Sequence, residues 1–314
     1  MLYEKKKEKS LTANKIHHIL ILGAGGQLGT NLVKSKWPQE YSLKGLSHEQ
    51  LDITDRDSLE KEIQSQRWSF VINATGYVKV DKAEQAGQEP YLVNGLGILW
   101  LATICKKHNI PVFHYSTDYV FDGSKNTPYV ESDTFNPLNT YGLSKLFGEL
   151  ALKSVLDKHI ILRSSWVYGV YGRNFVKTVL QKARAEEDIF VVNDQKGTPT
   201  CAEDIVEVTK EIIFSQLGQC SEEKWGTYHY AGLGETTWYE YANYILNIAY
   251  QDLKKPVSKI IPITTETQRR NSPNITLRPK YSALCSSLIK NTFSVKERSW
   301  KDGVKKVVEQ LSTL

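Results

Sequence analysis

Residues 16–37 read IHHILILGAGGQLGTNLVKSKW, and this stretch decides the fold. Residues 16–22 are dense in β-branched and apolar side chains, the pattern of a strand buried on both faces. Gly23-Ala24-Gly25-Gly26-Gln27-Leu28-Gly29 follows, and then a segment of helical character over 30–37. Strand, glycine turn and helix in that order is the context in which a glycine cluster carries meaning. Gly23 and Gly25 permit a tight turn, Gly26 lets the backbone approach a pyrophosphate, and Gly29 allows helix to pack closely on strand. The free N–H groups at the helix start, with its dipole, favour a phosphate there. A turn of purely structural purpose is the plain alternative.

The alternation continues outward. Residues 41–46, 70–74, 111–115 and 160–162 read as strands. Residues 55–66, 90–108 and 139–156 read as helices, the first with Thr54 or Asp55 as its cap. Repeated βα units imply an α/β fold, a doubly wound parallel sheet covered by helices on both faces. Ligands of such sheets sit beyond the carboxyl ends of the strands, where Gly23, Asn73, Ser116 and Trp166 fall. After residue 165 the pattern loosens. Helices are expected at 175–186 and from 202 to about 215, with frequent aromatics and loops between them. The chain therefore divides into a disordered basic tail (1–15), a dinucleotide-binding domain (16–165) and a smaller lobe (166–314) interleaved with the last sheet elements.

Composition limits the classes of function. A chain of 314 residues, 40% apolar and 24% charged, is neither disordered nor fibrous. Its apolar runs are a few residues long, so no membrane span is expected, and the N-terminus has no signal-peptide core. The net charge is +5, and much of it comes from Lys5, Lys6, Lys7, Lys9 and Lys15 in the tail. The remainder is close to neutral, which argues against a nucleic-acid surface. Cys105, Cys201, Cys220 and Cys285 form no C-x-x-C pair and have no histidine at a zinc-like spacing. They read as reduced thiols of a cytoplasmic protein.

The chemistry centres on Tyr141-Gly-Leu-Ser-Lys145. Tyr and Lys four apart share one face of a helix. An ammonium close by stabilises a phenolate and lowers its pKa. Such a pair can protonate a carbonyl oxygen as hydride reaches its carbon. Upstream, the strand VFHY ends in Ser116-Thr117-Asp118-Tyr119, and a hydroxyl at a strand end can hydrogen-bond a substrate oxygen.

Glycine turn, strand-end hydroxyl and Tyr-x-x-x-Lys, in this order, resemble the extended short-chain dehydrogenase/reductase superfamily. Within it the chain is similar to the dTDP-4-dehydrorhamnose reductase family through ILGAGGQLG, VINATGYVKVDKAE, HYSTDYVFDG, NPLNTYGLSKLFGE, RSSWVYGVYGRNF, VVNDQKGTPT and YHYAGLGETTWYEYA. The resemblance implies a Rossmann-type domain with a smaller C-terminal α/β substrate domain. It implies NADPH- or NADH-dependent reduction of a nucleotide-linked 4-keto-6-deoxyhexose, dTDP-4-dehydro-L-rhamnose before others. Thr117, Tyr141 and Lys145 match the catalytic trio: Tyr141 as proton donor, Lys145 lowering its pKa and holding the nicotinamide ribose, Thr117 binding the sugar oxygen. Gly23, Gly26, Gln27, Leu28 and Gly29 match the pyrophosphate turn, Asp52 and Ile53 the adenine side, and Asn73, Ala74 and Tyr77 strand-end cofactor contacts. Trp166, Asn174 and Arg278 match substrate contacts, and Arg278 suits a pyrophosphate.

The resemblance further allows a homodimer and a magnesium ion, but spacing gives no ligand set and no metal residue is assigned. Tyr281 and Cys285 stand where the family pattern has Asn and Asp, and only Lys44, Ser47 and His48 follow the second strand, so NADP and NAD both remain open. Two other functions remain open as well. One is a nucleotide-sugar dehydratase or epimerase, which would carry Asp-Glu after the strand-end Thr where this chain has Asp118-Tyr119. The other is a non-catalytic subunit like the regulatory β subunit of methionine adenosyltransferase.

Overall fold

The computed structural model describes residues 15–218, 224–250 and 258–312. Residues 1–14 of the expected tail and Cys220 lie outside the described residues. Six strands build one parallel sheet: β1 (His17–Leu22), β2 (Tyr41–Leu46), β3 (Phe70–Asn73), β4 (Val112–Thr117), β5 (His159–Ser164) and β6 (Gly226–His229), in the order β2-β1-β3-β4-β5-β6. The chain leaves β1 toward β2 and then crosses back to β3 on the other side. The reversal opens a crevice at the carboxyl ends of β1 and β3.

Alternation along β1 explains why both faces need cover. Ile19 and Ile21 join Leu32 of α1 (Gln27–Lys34) on one side, where Ile205, Ile212 and Ile213 of a later helix, Ala202–Leu217, also pack. Leu20 and Leu22 face the opposite way. They meet Leu59 and Ile63 of α2 (Arg56–Gln64), Ile98 and Leu101 of α3 (Gly97–Lys107) and Leu152 of α4 (Thr140–Val155). Asp55 caps α2, its side chain accepting from Ser58 N at 3.1 Å. A separate apolar core, with Val176, Val179, Tyr241, Ile245, Val304 and Val307, holds the helices Phe175–Arg184, Trp238–Ala249 and Trp300–Ser312 together. β6, although late in the chain, completes the main sheet beside β5.

The helix expected at 90–108 is interrupted. Leu92–Leu96 forms a π turn between Glu89–Tyr91 and α3. The wider turn falls where the chain meets α4: a side chain at Gly148 would stand 2.0 Å from Asn94 O, and one at Gly95 would stand 2.2 Å from the Phe147 ring. Asn94 uses the displaced turn to bind Tyr77 N (2.8 Å), Tyr77 O (3.1 Å) and Ser144 Oγ (2.9 Å).

One buried ion pair fastens α4 to the sheet. Arg163 of β5 and Glu149 of α4 are both fully buried and meet through two hydrogen bonds, of 2.9 and 2.6 Å. Breaking such a pair from one side strands a charge in a dry interior. Glu149→Leu is therefore expected to cost about 3–5 kcal/mol in urea unfolding. A loss below about 1 kcal/mol would show that Arg163 finds water or another partner.

Candidate active site

The strand ends and the second core enclose a cleft of about 840 Å³. Its floor begins at the glycine turn. Gly23 has φ +79°, and any side chain there would strike the Ala74 carbonyl at 2.7 Å. A side chain at Gly29 would lie 2.1 Å from Gly23 O, so this glycine seats α1 against the turn. Gly26, Gln27, Leu28 and Ala74 line the cleft directly, whereas Gly23 and Gly29 shape it from behind.

The centre of the cleft lies at the end of β4. Thr117 is buried, donates to Asp118 Oδ1 at 3.1 Å and accepts from Tyr119 N at 3.2 Å. Tyr141, in the first turn of α4, faces it. Asn139 caps that helix by accepting from Gly142 N at 2.8 Å. Burial pushes the Tyr141 hydroxyl up to about 12, and the neighbouring Thr117 hydroxyl draws it partly back. It is protonated at neutral pH, as a proton donor must be. Lys145 Nζ donates to Tyr115 O at 2.6 Å and stands 3.3 Å from His114 Nε2. It is turned toward the β4 backbone, and burial draws it down to about 8. The expected lowering of Tyr141 by Lys145 is therefore not found in this arrangement; desolvation governs both groups. Burial also lifts the Asp118 carboxyl to about 7.

At the far end Trp166, with φ +46°, stacks on Trp238 at 3.6 Å between centroids and 12° between planes. Both indoles line the cleft. Arg278 reaches the same wall, held by Asp81 Oδ2 at 2.8 Å and interacting with the Tyr119 hydroxyl.

Other expected site residues stand outside the cleft wall. Asn73 is fully buried and bonded to Thr75 and His114. Ile53 belongs to the core beneath the sheet, and Asp52 is occupied by Thr54. Tyr77 is fixed through its backbone by Asn94. Asn174 caps the helix Phe175–Arg184, accepting from Lys177 N at 3.2 Å and donating to Gly169 O at 2.7 Å. Tyr281 and Cys285 also fall off the wall: Tyr281 donates to Glu235 at 2.8 Å in a small separate core. Trp238 lies in no motif that marks it as a cleft residue, although Thr237 and Glu240 form a capping box that fixes it at a helix start.

The cleft is chemically suited to a dinucleotide. Gln27 Nε2, Ser116 Oγ and Ser164 Oγ are buried without a partner on residues that line it, and groups of that kind call for a polar ligand. Among the described residues no cluster of three His, Cys, Asp or Glu could hold a metal ion. No helix among them is long and apolar enough to cross a membrane.

Glycine turn, Thr117 and the Tyr141–Lys145 pair around one cleft define a short-chain dehydrogenase/reductase of the extended type. Comparison with known proteins narrows this. The family model described as RmlD substrate binding domain matches residues 17–313. A dTDP-4-dehydrorhamnose reductase of Aggregatibacter actinomycetemcomitans is 36% identical over 92% of this chain and 97% of its own. A dTDP-4-keto-6-deoxy-D-glucose reductase of Streptomyces niveus is 32% identical over 84% and 87%. The crystal structure of dTDP-4-dehydrorhamnose reductase from Bacillus anthracis in complex with NADP is similar with a TM-score of 0.85, at 32% identity, over 94% of this chain and 99% of that one. The chain belongs to the dTDP-4-dehydrorhamnose reductase family, whose members are NAD(P)-dependent sugar-nucleotide reductases.

The two readings of Asn174 separate experimentally. As a helix cap, Asn174→Ala should lower stability by about 0.5–2 kcal/mol and leave substrate KM unchanged. A raised KM at unchanged stability would return it to the substrate contacts.

Proposed function

We propose that this protein reduces a nucleotide-linked 4-keto-6-deoxyhexose with NADPH or NADH, dTDP-4-dehydro-L-rhamnose to dTDP-L-rhamnose before other substrates. The observation that carries the reading is the Tyr141 hydroxyl, kept protonated beside Thr117 at the end of β4, within one cleft that has the glycine turn at one end and Trp166 at the other. Bound NADPH or NADH supplies the hydride that becomes the new C–H bond at C4 of the sugar. Thr117 and Tyr141 hydrogen-bond the ketone oxygen, and Tyr141 gives it the proton that completes the alcohol. Gly26 and Gln27 hold the cofactor pyrophosphate at the start of α1. Lys145 turns from Tyr115 O to the nicotinamide ribose and, as an ammonium, stabilises the phenolate left on Tyr141. Trp166 offers an apolar wall to the hexose, and Arg278 binds the substrate pyrophosphate. Asp118-Tyr119 follows Thr117, so the Glu base that a dehydratase carries there is missing, and reduction is favoured over dehydration.

NADPH consumption with dTDP-4-dehydro-L-rhamnose tests the reading. Tyr141→Phe should retain cofactor affinity and lower kcat by roughly 10²–10⁴-fold. Near-normal turnover would remove Tyr141 from the chemistry. Cofactor binding without reduction of any keto-sugar would favour a non-catalytic role.

Arg278→Ala should raise substrate KM about 10–150-fold with little change in kcat, the effect of losing one charged hydrogen bond made equally in ground and transition states. An unaltered KM would leave Arg278 as the partner of Asp81 only.

A further inference from the structure

His114 is fully buried in β4 behind the cleft, and the reaction above makes no use of it. Its neighbours fix its protonation. Asn73 Oδ1 accepts from Thr75 N at 3.1 Å and from Thr75 Oγ1 at 2.7 Å. The Asn73 amide must therefore turn Nδ2 the other way, toward His114 Nδ1 at 3.0 Å. A carboxamide nitrogen only donates, so Nδ1 is the acceptor and the ring hydrogen sits on Nε2. That hydrogen faces Lys145 Nζ at 3.3 Å. An ammonium has no lone pair to receive it, whereas an amine does. An amine can still donate to Tyr115 O at 2.6 Å. The chain from Thr75 through Asn73, His114 and Lys145 to Tyr115 O closes only with Lys145 neutral.

We propose that His114, oriented by Asn73, is a positioning residue that favours the amine form of Lys145 until the cofactor binds, so that binding of the nicotinamide dinucleotide is coupled to proton uptake at Lys145. The inference rests on the reading that Lys145 meets the cofactor ribose. The step balances simply: Nζ accepts a proton from solvent, gives up the His114 hydrogen bond, and becomes the ammonium that Tyr141 requires.

The groups facing Lys145 agree with this. On its own helix, Glu149 favours the ammonium, yet it is bound twice by Arg163 of β5, and Tyr141 is uncharged. From β4 come His114 and, just beyond the strand, Asp118. Burial above all holds His114 well below the ordinary imidazole range, and His159 of β5 also opposes its protonation. Burial brings Lys145 down to about 8, so the amine is well populated at mildly alkaline pH.

The test is calorimetric titration of the full chain with NADH, which lacks the 2′-phosphate whose own titration would add protons. It is run near the Lys145 midpoint of about 8 in two buffers of different ionisation enthalpy. Wild type should take up roughly half a proton per NADH bound. His114→Gln can accept from Asn73 and donate to Lys145, and should keep that uptake. His114→Phe removes the donor, raises the Lys145 midpoint by roughly 0.5–1 pH unit, and should lower the uptake at least twofold. NADH binding with no proton uptake, or unchanged uptake in His114→Phe, overturns the proposal. ¹⁵N resonances of His114 in wild type decide it even if the Phe variant does not fold. A ring protonated on Nε2 alone supports it, and one protonated on Nδ1 defeats it. Absence of NADH binding defeats the parent reading, whereas binding without uptake defeats only this one.

Discussion

The structure depends on how closely α4 lies against the end of β4 and the π turn beside it. A side chain at Gly142 would stand 2.2 Å from Tyr119 O, and one at Gly148 would stand 2.0 Å from Asn94 O. Any larger residue at either position lifts the helix off the sheet, because the obstacle in each case is backbone, which cannot rotate away. Close seating is what brings Tyr141 to Thr117 and Lys145 to the Tyr115 carbonyl. Other contacts then hold the start of the helix. Asn139 caps it and also donates to Leu277 O at 2.9 Å, while Glu84 accepts from Thr140 N and Oγ1 at 2.9 and 2.7 Å. Glu84 also receives Thr276 Oγ1 at 3.1 Å, so one carboxylate joins the helix that carries Tyr141 to the segment that carries Arg278.

Desolvation is the second theme of the site. Tyr141, Lys145 and Asp118 are all shifted mainly by burial, each toward its neutral form. A dry pocket of this kind strengthens every hydrogen bond made to a developing oxyanion, and it leaves the protonation of the site sensitive to what enters it. Arg163 and Glu149, two full charges fixed behind it, pair with each other. Buried hydroxyls at the end of β4 suit a reaction in which a neutral ketone gains a hydride and a proton.

Much of this was legible in the sequence. The run from β1 through the glycine turn to α1 could be read because strand period, turn glycines and helix start lie within a few residues of one another. Tyr141 and Lys145 could be paired because helical geometry fixes their spacing. Side-chain direction was harder to read. Asn73, Ile53 and Tyr77 occupy strand ends and turns where one residue's rotation separates cleft from core, and their residue types fit either side. Asn174 precedes a helix and has the cap-forming type, so the cap was available as a reading. The π turn at Leu92–Leu96 was not legible, because it arises from contact with Gly148, more than fifty residues away. That the smaller lobe is interleaved with the last sheet elements could be expected, but not which segment pairs with β5, since parallel pairing leaves no local signature.

The proposed reaction delivers a hydride to a sugar ketone next to Tyr141. Isotope tracing tests it most directly. The protein is incubated with dTDP-4-dehydro-L-rhamnose and NADPH carrying deuterium at the transferable position of the nicotinamide, and the product is examined by NMR. The expected product is a 6-deoxyhexose alcohol with deuterium bound to C4 of the sugar. A sugar recovered unreduced, with the deuterium still on the bound nucleotide, would contradict it.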